Sequence, residues 1–357
     1  MNEKEALVSL CAFVPFGPAR IKLLREYFGG ARKVWGASAK QLEEIGLSDK
    51  LISEFIAFRD KFDVKSYFIR IEKLGVKIII NDDKNYPERL KNIDYPPTLI
   101  YVKGEILPRD QISIAIVGSR KITSYGRQVT EKIAGELASS GVTIVSGLAI
   151  GVDGVAHRSA LDVGGRTIAV VGSGIDNIYP PSHKNLAQDI ANSGCIISEY
   201  PLSYPALPVN FPHRNRIISG LSLGVVVIEG TQKSGTLLTA AHAAAQGREV
   251  FAVPGPITSP NSSAPHILIK QGAKLVTGVS DILEELDIKT RAKTADLPSL
   301  PQTFEEKAIL NLLEHGPLHI DQILRSVEFD LGKVMATLTT MELRGIVKNV
   351  GGIYTKR

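Results

Sequence analysis

Asn210-Phe211-Pro212-His213-Arg214-Asn215-Arg216, the apolar run Val225-Val226-Val227-Ile228 and then Glu229-Gly230-Thr231-Gln232-Lys233-Ser234-Gly235-Thr236 read as helix start, strand, helix start. A short β-branched run between two amphipathic patterns is a strand covered on both faces, which places the chain among α/β proteins. Helix N-termini carry unpaired N–H groups and partial positive charge, so both flanks favour an anion. Phe211 among Arg214, Arg216 and Lys233 supplies what an unpaired polynucleotide requires, a ring for bases and charge for the backbone. The same residues also admit a structural reading, with the arginines in ion pairs and Phe211 in a core.

The alternation extends through residues 111–285. Apolar runs fall at 112–117, 142–146, 167–171, 195–198, 225–228 and 249–253, with amphipathic periods at 126–139, 152–161, 182–192, 212–221, 236–246 and 264–271. The expected fold is therefore an extended Rossmann-like parallel sheet with helices on both faces. Right-handed crossovers bring the carboxyl ends of such strands to one rim, where ligands bind.

Residues 1–65 read as a small helical unit. Its turns, Val14-Pro15-Phe16-Gly17-Pro18-Ala19 and Leu42-Glu43-Glu44-Ile45-Gly46-Leu47, resemble those of helix-hairpin-helix repeats, although neither carries Gly-x-Gly. A helical domain packed only by Leu, Ile and Phe fits the same pattern. Residues 66–110 read as a connector laid against the next domain, and 286–302 as a linker without periodicity. Residues 303–357 read as three helices and a hairpin turning at Gly351-Gly352, the outline of a winged helix. Leu331, Val334, Leu338 and Met341 are expected to form one apolar face of the third helix. Residues 330–344 offer only Lys333 and Arg344 as cations, too few for a groove-reading helix, so packing or protein contact is the expected role.

The 357 residues are 44% hydrophobic and 22% charged, a globular composition sufficient for several cores. Net charge is +5, yet residues 111–285 hold 13 Lys+Arg against 12 Asp+Glu, a net of +1. A polyanion site there must come from local clustering. Cys11 and Cys195 form neither a metal spacing nor a disulfide framework, the first residues lack a signal-peptide pattern, and no apolar run reaches spanning length. The expectation is a cytoplasmic protein with no membrane segment.

Each strand end on the rim carries a motif. Gly118-Ser119-Arg120-Lys121 puts two cations beside a helix start, and Gly147 in Ser146-Gly147-Leu148-Ala149-Ile150-Gly151-Val152-Asp153 gives a backbone room beside a ligand. Asp153 and His157 lie four apart on one helix face, which suits acid–base chemistry, a metal, or a capping carboxylate that holds the histidine. Gly172-Ser173-Gly174-Ile175-Asp176-Asn177 lacks the third glycine of a dinucleotide fingerprint, and no Gly-x4-Gly-Lys-Ser/Thr loop occurs. Neither a Gly-x-Ser-x-Gly elbow nor a His-Glu-x-x-His helix is present, so no cofactor or metal is expected. What remains is a binding surface of Gly118, Ser119, Arg120, Lys121, Gly147, Phe211, Arg214, Asn215, Arg216, Lys233, Ser234, Gly235 and Thr236, with no catalytic residue.

Taken in order, these motifs together with Ser198-Glu199-Tyr200-Pro201, Val250-Phe251-Ala252-Val253-Pro254-Gly255 and Leu268-Ile269-x-x-Gly272-Ala273 resemble the DprA family, DNA-processing proteins of bacterial transformation. The likeness is dense over 111–280 and looser in the flanks. It implies a non-enzymatic protein that binds and protects single-stranded DNA and helps load the RecA recombinase. It also implies that Arg120, Phe211, Arg214, Lys233 and Gly235 line the DNA site. A homodimer and the RecA contact would involve His266, Ile269, Lys270 and Leu275, although Ser263-Ala264-Pro265 departs from the family's glycine-containing approach there. The N-terminal unit would be sterile-alpha-motif-like. The rival from another class is a nucleotide-binding Rossmann enzyme of the phosphoribohydrolase type, with Glu229 or Asp153 as its carboxylate. Its Pro-Gly-Gly-x-Gly-Thr-x-x-Glu signature is absent.

Overall fold

A computed structural model describes residues 1–288, 303–314, 316–343 and 346–356. The chain divides into two compact units, Met1–Arg291 and Ala292–Arg357. Residues 289–302, most of the expected linker, lie outside the described residues.

The larger unit is built on one nine-stranded sheet. Its strands are β1 (Val76–Ile80), β2 (Leu99–Gly104), β3 (Ser113–Val117), β4 (Thr143–Ser146), β5 (Thr167–Val171), β6 (Cys195–Ser198), β7 (Gly224–Val227), β8 (Glu249–Ala252) and β9 (Lys274–Leu275). They lie in the order β1-β2-β6-β5-β4-β3-β7-β8-β9. From β6 across to β9 every pairing is parallel. β1 and β2 pair antiparallel with each other, and β2 is antiparallel to β6. The stretch read as a connector thus extends the sheet itself, a pairing between β2 and β6 that no local pattern encodes.

Burial explains why the parallel strands are apolar runs. In β3, Ile114 and Ile116 enter the core on one face while Ala115 and Val117 enter the core on the other. All four are buried, the first three completely. Each fully buried branched side chain contributes on the order of 2 kcal/mol, and the buried Ser113 that opens β3 is accommodated because its hydroxyl donates to the Leu221 carbonyl. β3 also fixes the rim. The chain steps from β3 through β4 and β5 to β6, then returns to the other side of β3 for β7. That reversal opens a crevice between the carboxyl ends of β3 and β7.

Ahead of the sheet, five helices from Glu3–Ala12 to Asp49–Lys61 pack around Phe13, Phe16 and Phe55, with the Phe16 and Phe55 rings 4.7 Å apart, and a sixth, Val64–Lys73, packs against the sheet through Ile71. Gly17 (φ 60°) and Gly46 (φ 83°) hold the left-handed backbone at the two turns singled out in the sequence, conformations a β-carbon disfavours. Among the described residues no single helix is long and apolar enough to cross a membrane.

The smaller unit holds helices Phe304–Leu313, Ile320–Ser326 and Leu331–Leu343, with strands β10 (Leu318–His319), β11 (Val347–Val350) and β12 (Ile353–Lys356) in the order β10-β12-β11. This is a winged helix whose wing turns at Gly351 and Gly352, both at positive φ. Val334, Leu338 and Met341 are fully buried in its core, but Leu331 is 59% exposed. Leu331 opens the third helix, where one more period of the apolar pattern meets solvent rather than a neighbour.

Candidate nucleic-acid interface

The crevice at the reversal is a cleft of about 630 Å³. One wall is the loop after β3, from Gly118 to Lys121, and the opposite wall is the loop after β7, with Thr231, Ser234, Gly235 and Thr236. Its floor comes from the first turns of the helix Asn210–Leu221, through Phe211, Pro212, Arg214 and Asn215. The two helix starts prominent in the sequence therefore meet, joined by a long Asn215 Nδ2 to Gly235 carbonyl contact at 3.5 Å.

Phe211 is the centre of the site. The Arg120 guanidinium lies 5.3 Å from its ring centroid and that of Arg214 lies 5.9 Å away. Tyr179 tilts against it at 5.8 Å and is 48% exposed. A half-buried ring beside an exposed one, with cations on both, forms a platform on which a planar base can stack. Tyr179, two residues past the Gly172–Asn177 motif, and Asn261, which holds the β3 loop by donating to the Lys121 carbonyl at 2.9 Å, were not singled out by the sequence.

The cations divide sharply. Arg120, Lys121 and Lys233 are exposed, and among the described residues none has a side-chain ion pair or hydrogen bond. Lys233 sits between the wall residues Thr231 and Ser234. Ser234 Oγ accepts from the backbone and hydroxyl of Thr236 (3.3 and 2.9 Å), fixing that loop. Ser119 Oγ does likewise for Lys121 N at 3.1 Å.

Arg214 is different. It is only 4% exposed, and its Nη1 donates to the carbonyls of Gly147 (2.7 Å) and Val170, tying the ends of β4 and β5. Burial lowers its pKa to about 10, opposed by the charge of Asp153. Reversing its charge is therefore expected to disturb the fold as well as the cleft. Arg216 does not join the cleft at all: its Nη2 donates to both oxygens of Glu199 at 2.7 Å, the structural pairing the sequence had left open.

The glycines also separate. A β-carbon on Gly147 would sit 2.5 Å from Arg214 Nη2 and 2.7 Å from Asp153 Oδ2, and one on Gly118 would overlap Val152. At both positions the protein's own packing requires the absence of a β-carbon. Gly235 alone of the three faces open space.

The carboxylates of the rival enzyme reading are both occupied. Glu229 is buried and accepts from Thr123 N and Thr123 Oγ1, holding the start of the helix Ser124–Ser139. Asp153 accepts from Gly147 N at 3.1 Å and Ala149 N at 3.4 Å, and its burial raises its pKa against the opposing charge of Arg214. Asp153 does not hold His157, as the helix spacing had suggested. His157 is fully buried and shares a 2.6 Å hydrogen bond with Thr167 Oγ1. Burial first, then His183 and Arg214, lowers its pKa from 6.5 to about 3. A depressed histidine stabilises the fold above its unfolded value near 6.5, and this stability is lost as pH falls toward 3. His157→Gln is expected to flatten the pH dependence of the unfolding free energy across that window, measured by denaturant titration at successive pH values. Among the described residues no group of His, Cys, Asp and Glu could hold a metal ion.

A family model described as DNA recombination-mediator protein A matches residues 77–287, and a DprA winged helix domain matches 293–352. This chain belongs to the DprA family. Protein Smf of Escherichia coli is 46% identical over 326 residues, 88% of this chain and 86% of that protein. The X-ray structure of DprA from Streptococcus pneumoniae is 37% identical with a TM-score of 0.62, covering 70% of this chain and 87% of that one. The Helicobacter pylori DprA, solved to explain its single-stranded DNA binding mode, is 30% identical with a TM-score of 0.54, over 60% of this chain and 96% of that one. The four residues that the DprA likeness assigned to a dimer and RecA surface lie beside β9, at one end of the sheet. His266, Ile269 and Lys270 are on the helix Ser263–Lys270 and Leu275 is in β9 itself. Lys270 and Leu275 are exposed, His266 contacts the Gly255 carbonyl at 3.0 Å, and Ile269 packs partly into the core.

Proposed function

We propose that this chain binds single-stranded DNA in the β3/β7 cleft without performing a reaction on it, and passes the strand to the RecA recombinase during natural transformation in the cytoplasm. The observation that carries the reading is the placement of Arg120 and Lys121, which form no ion pair among the described residues, at the cleft that also holds the Phe211–Tyr179 rings, with the exposed Lys233 preceding the wall residue Ser234 in the chain. The rings stack bases and the cations neutralise phosphates, whereas a paired duplex hides its ring faces. The single-strand binding of the Helicobacter pylori relative supports the same reading. β9 is an edge strand of the sheet among the described residues, which suits a second copy of the chain, and the exposed Leu275 within it and Lys270 before it suit the RecA contact. Glu229 and Asp153, the carboxylates named for the phosphoribohydrolase alternative, are both committed to backbone amides, which does not favour that reading.

Titration of labelled oligo-dT against matched duplex at two salt concentrations tests this. Single strand is expected to win by at least about tenfold, with a salt slope near −2 for three neutralised phosphates. Equal affinity for the two forms would overturn the proposal.

A further inference from the structure

Two features that the cleft does not use meet in one place. Arg216 and the first N-terminal turn, at Val14, Gly17 and Pro18, both line a second cavity of about 330 Å³. Its walls are largely apolar, with Ile21, Leu99 and Val209 among them. On one side the rings of Tyr200 and Tyr204 lie parallel, their centroids 5.1 Å apart and their planes within 5°. Glu199 engages only Nη2 of Arg216, so Nη1 is buried with no hydrogen-bond partner among the described residues. A buried N–H without an acceptor carries an uncompensated desolvation cost, which an occupant bearing an acceptor offsets.

We propose that this cavity holds one nucleobase, its ring against the tyrosine pair and a carbonyl oxygen or ring nitrogen accepting from Arg216 Nη1. The volume is at the low end for ligand pockets and suits a single nucleoside. The choice of a base over other planar acceptors comes from the shared helix Asn210–Leu221. Phe211, Pro212, Arg214 and Asn215 line the cleft, while Asn210, His213 and Arg216 line the second cavity. A strand leaving the cleft round that helix's first turn arrives at the tyrosines, a path that rests on the single-strand reading above. The base belongs either to the bound strand or to a free nucleotide.

Photo-crosslinking of the full chain with oligo-dT carrying 5-iododeoxyuridine, and separately with 5-iododeoxyuridine monophosphate, distinguishes these sources when adducts are located by mass spectrometry. Oligonucleotide binding is followed in parallel by anisotropy. Adducts at Tyr200 or Tyr204 from the oligonucleotide assign the base to the strand, and adducts there from the monomer alone assign it to a free nucleotide. Arg216→Lys keeps a cation for Glu199 but removes the second nitrogen, and is expected to cut those adducts about tenfold while sparing adducts at Tyr179 and Phe211. Val209→Trp, at a position 58% exposed on the wall, is expected to do the same without disturbing the ion pair. If the oligonucleotide binds and reacts only at Tyr179 or Phe211, and the monomer gives nothing at Tyr200 or Tyr204, the inference is overturned and the cleft reading stands. If both variants leave the adducts unchanged, it is also overturned. If the oligonucleotide fails to bind, the cleft reading falls, and the monomer arm alone decides the second cavity.

Discussion

Arg120→Glu combined with Lys233→Glu is expected to weaken binding to unstructured oligonucleotides by at least about a hundredfold, because each charge-assisted phosphate contact is worth roughly 1.5–3 kcal/mol and both are lost. The salt slope should fall by about 1.4, two phosphates at roughly 0.7 each. Stability should barely change. Both side chains are exposed, and neither donates a hydrogen bond or forms an ion pair among the described residues. The measurements are anisotropy titrations over a salt series and a thermal melt. Unchanged affinity, or loss of affinity only together with loss of the folded state, would remove these two positions from the site.

Arg214→Ala should behave in the opposite way, with a loss of about 3–5 kcal/mol in unfolding free energy. Arg214 fastens the ends of β4 and β5 through the Gly147 and Val170 carbonyls, and its charge opposes the desolvation of the buried Asp153. Removing it leaves that carboxylate in low dielectric with its main counter-charge gone. The test includes a second step: Asp153→Asn in the Arg214→Ala background should restore part of the loss, since the stranded charge is then absent. Denaturant unfolding of the two single variants and the double variant measures the coupling. An Arg214→Ala protein as stable as the parent would show that its carbonyl bonds are replaceable. DNA binding also falls in this variant, but as a consequence of the disturbed rim rather than of a missing phosphate contact.

These contrasting outcomes mark how far the amino-acid order could be read. The alternation around Val225–Val226–Val227–Ile228 was enough to place a covered parallel sheet, because strands buried on both faces are built mainly from apolar side chains. The Gly351-Gly352 wing and the gathering of Gly118–Lys121 and Ser234–Thr236 at one rim were equally legible, since turn chemistry and crossover handedness are local rules. Even Leu331 followed its periodic rule, and only the end of a packed surface left it in solvent.

The sequence by itself therefore determined the α/β sheet, its ligand-bearing rim and the winged helix. The tertiary structure alone decided which cations at that rim are available. Arg120 and Lys233 form no ion pair among the described residues, Arg214 is sealed among the Gly147 and Val170 carbonyls, and Arg216 is bound by Glu199, 17 residues earlier in the chain. The physical reason is that an arginine's role depends on the acceptors brought beside it by folding, and those come from elements whose positions no nearby residue specifies.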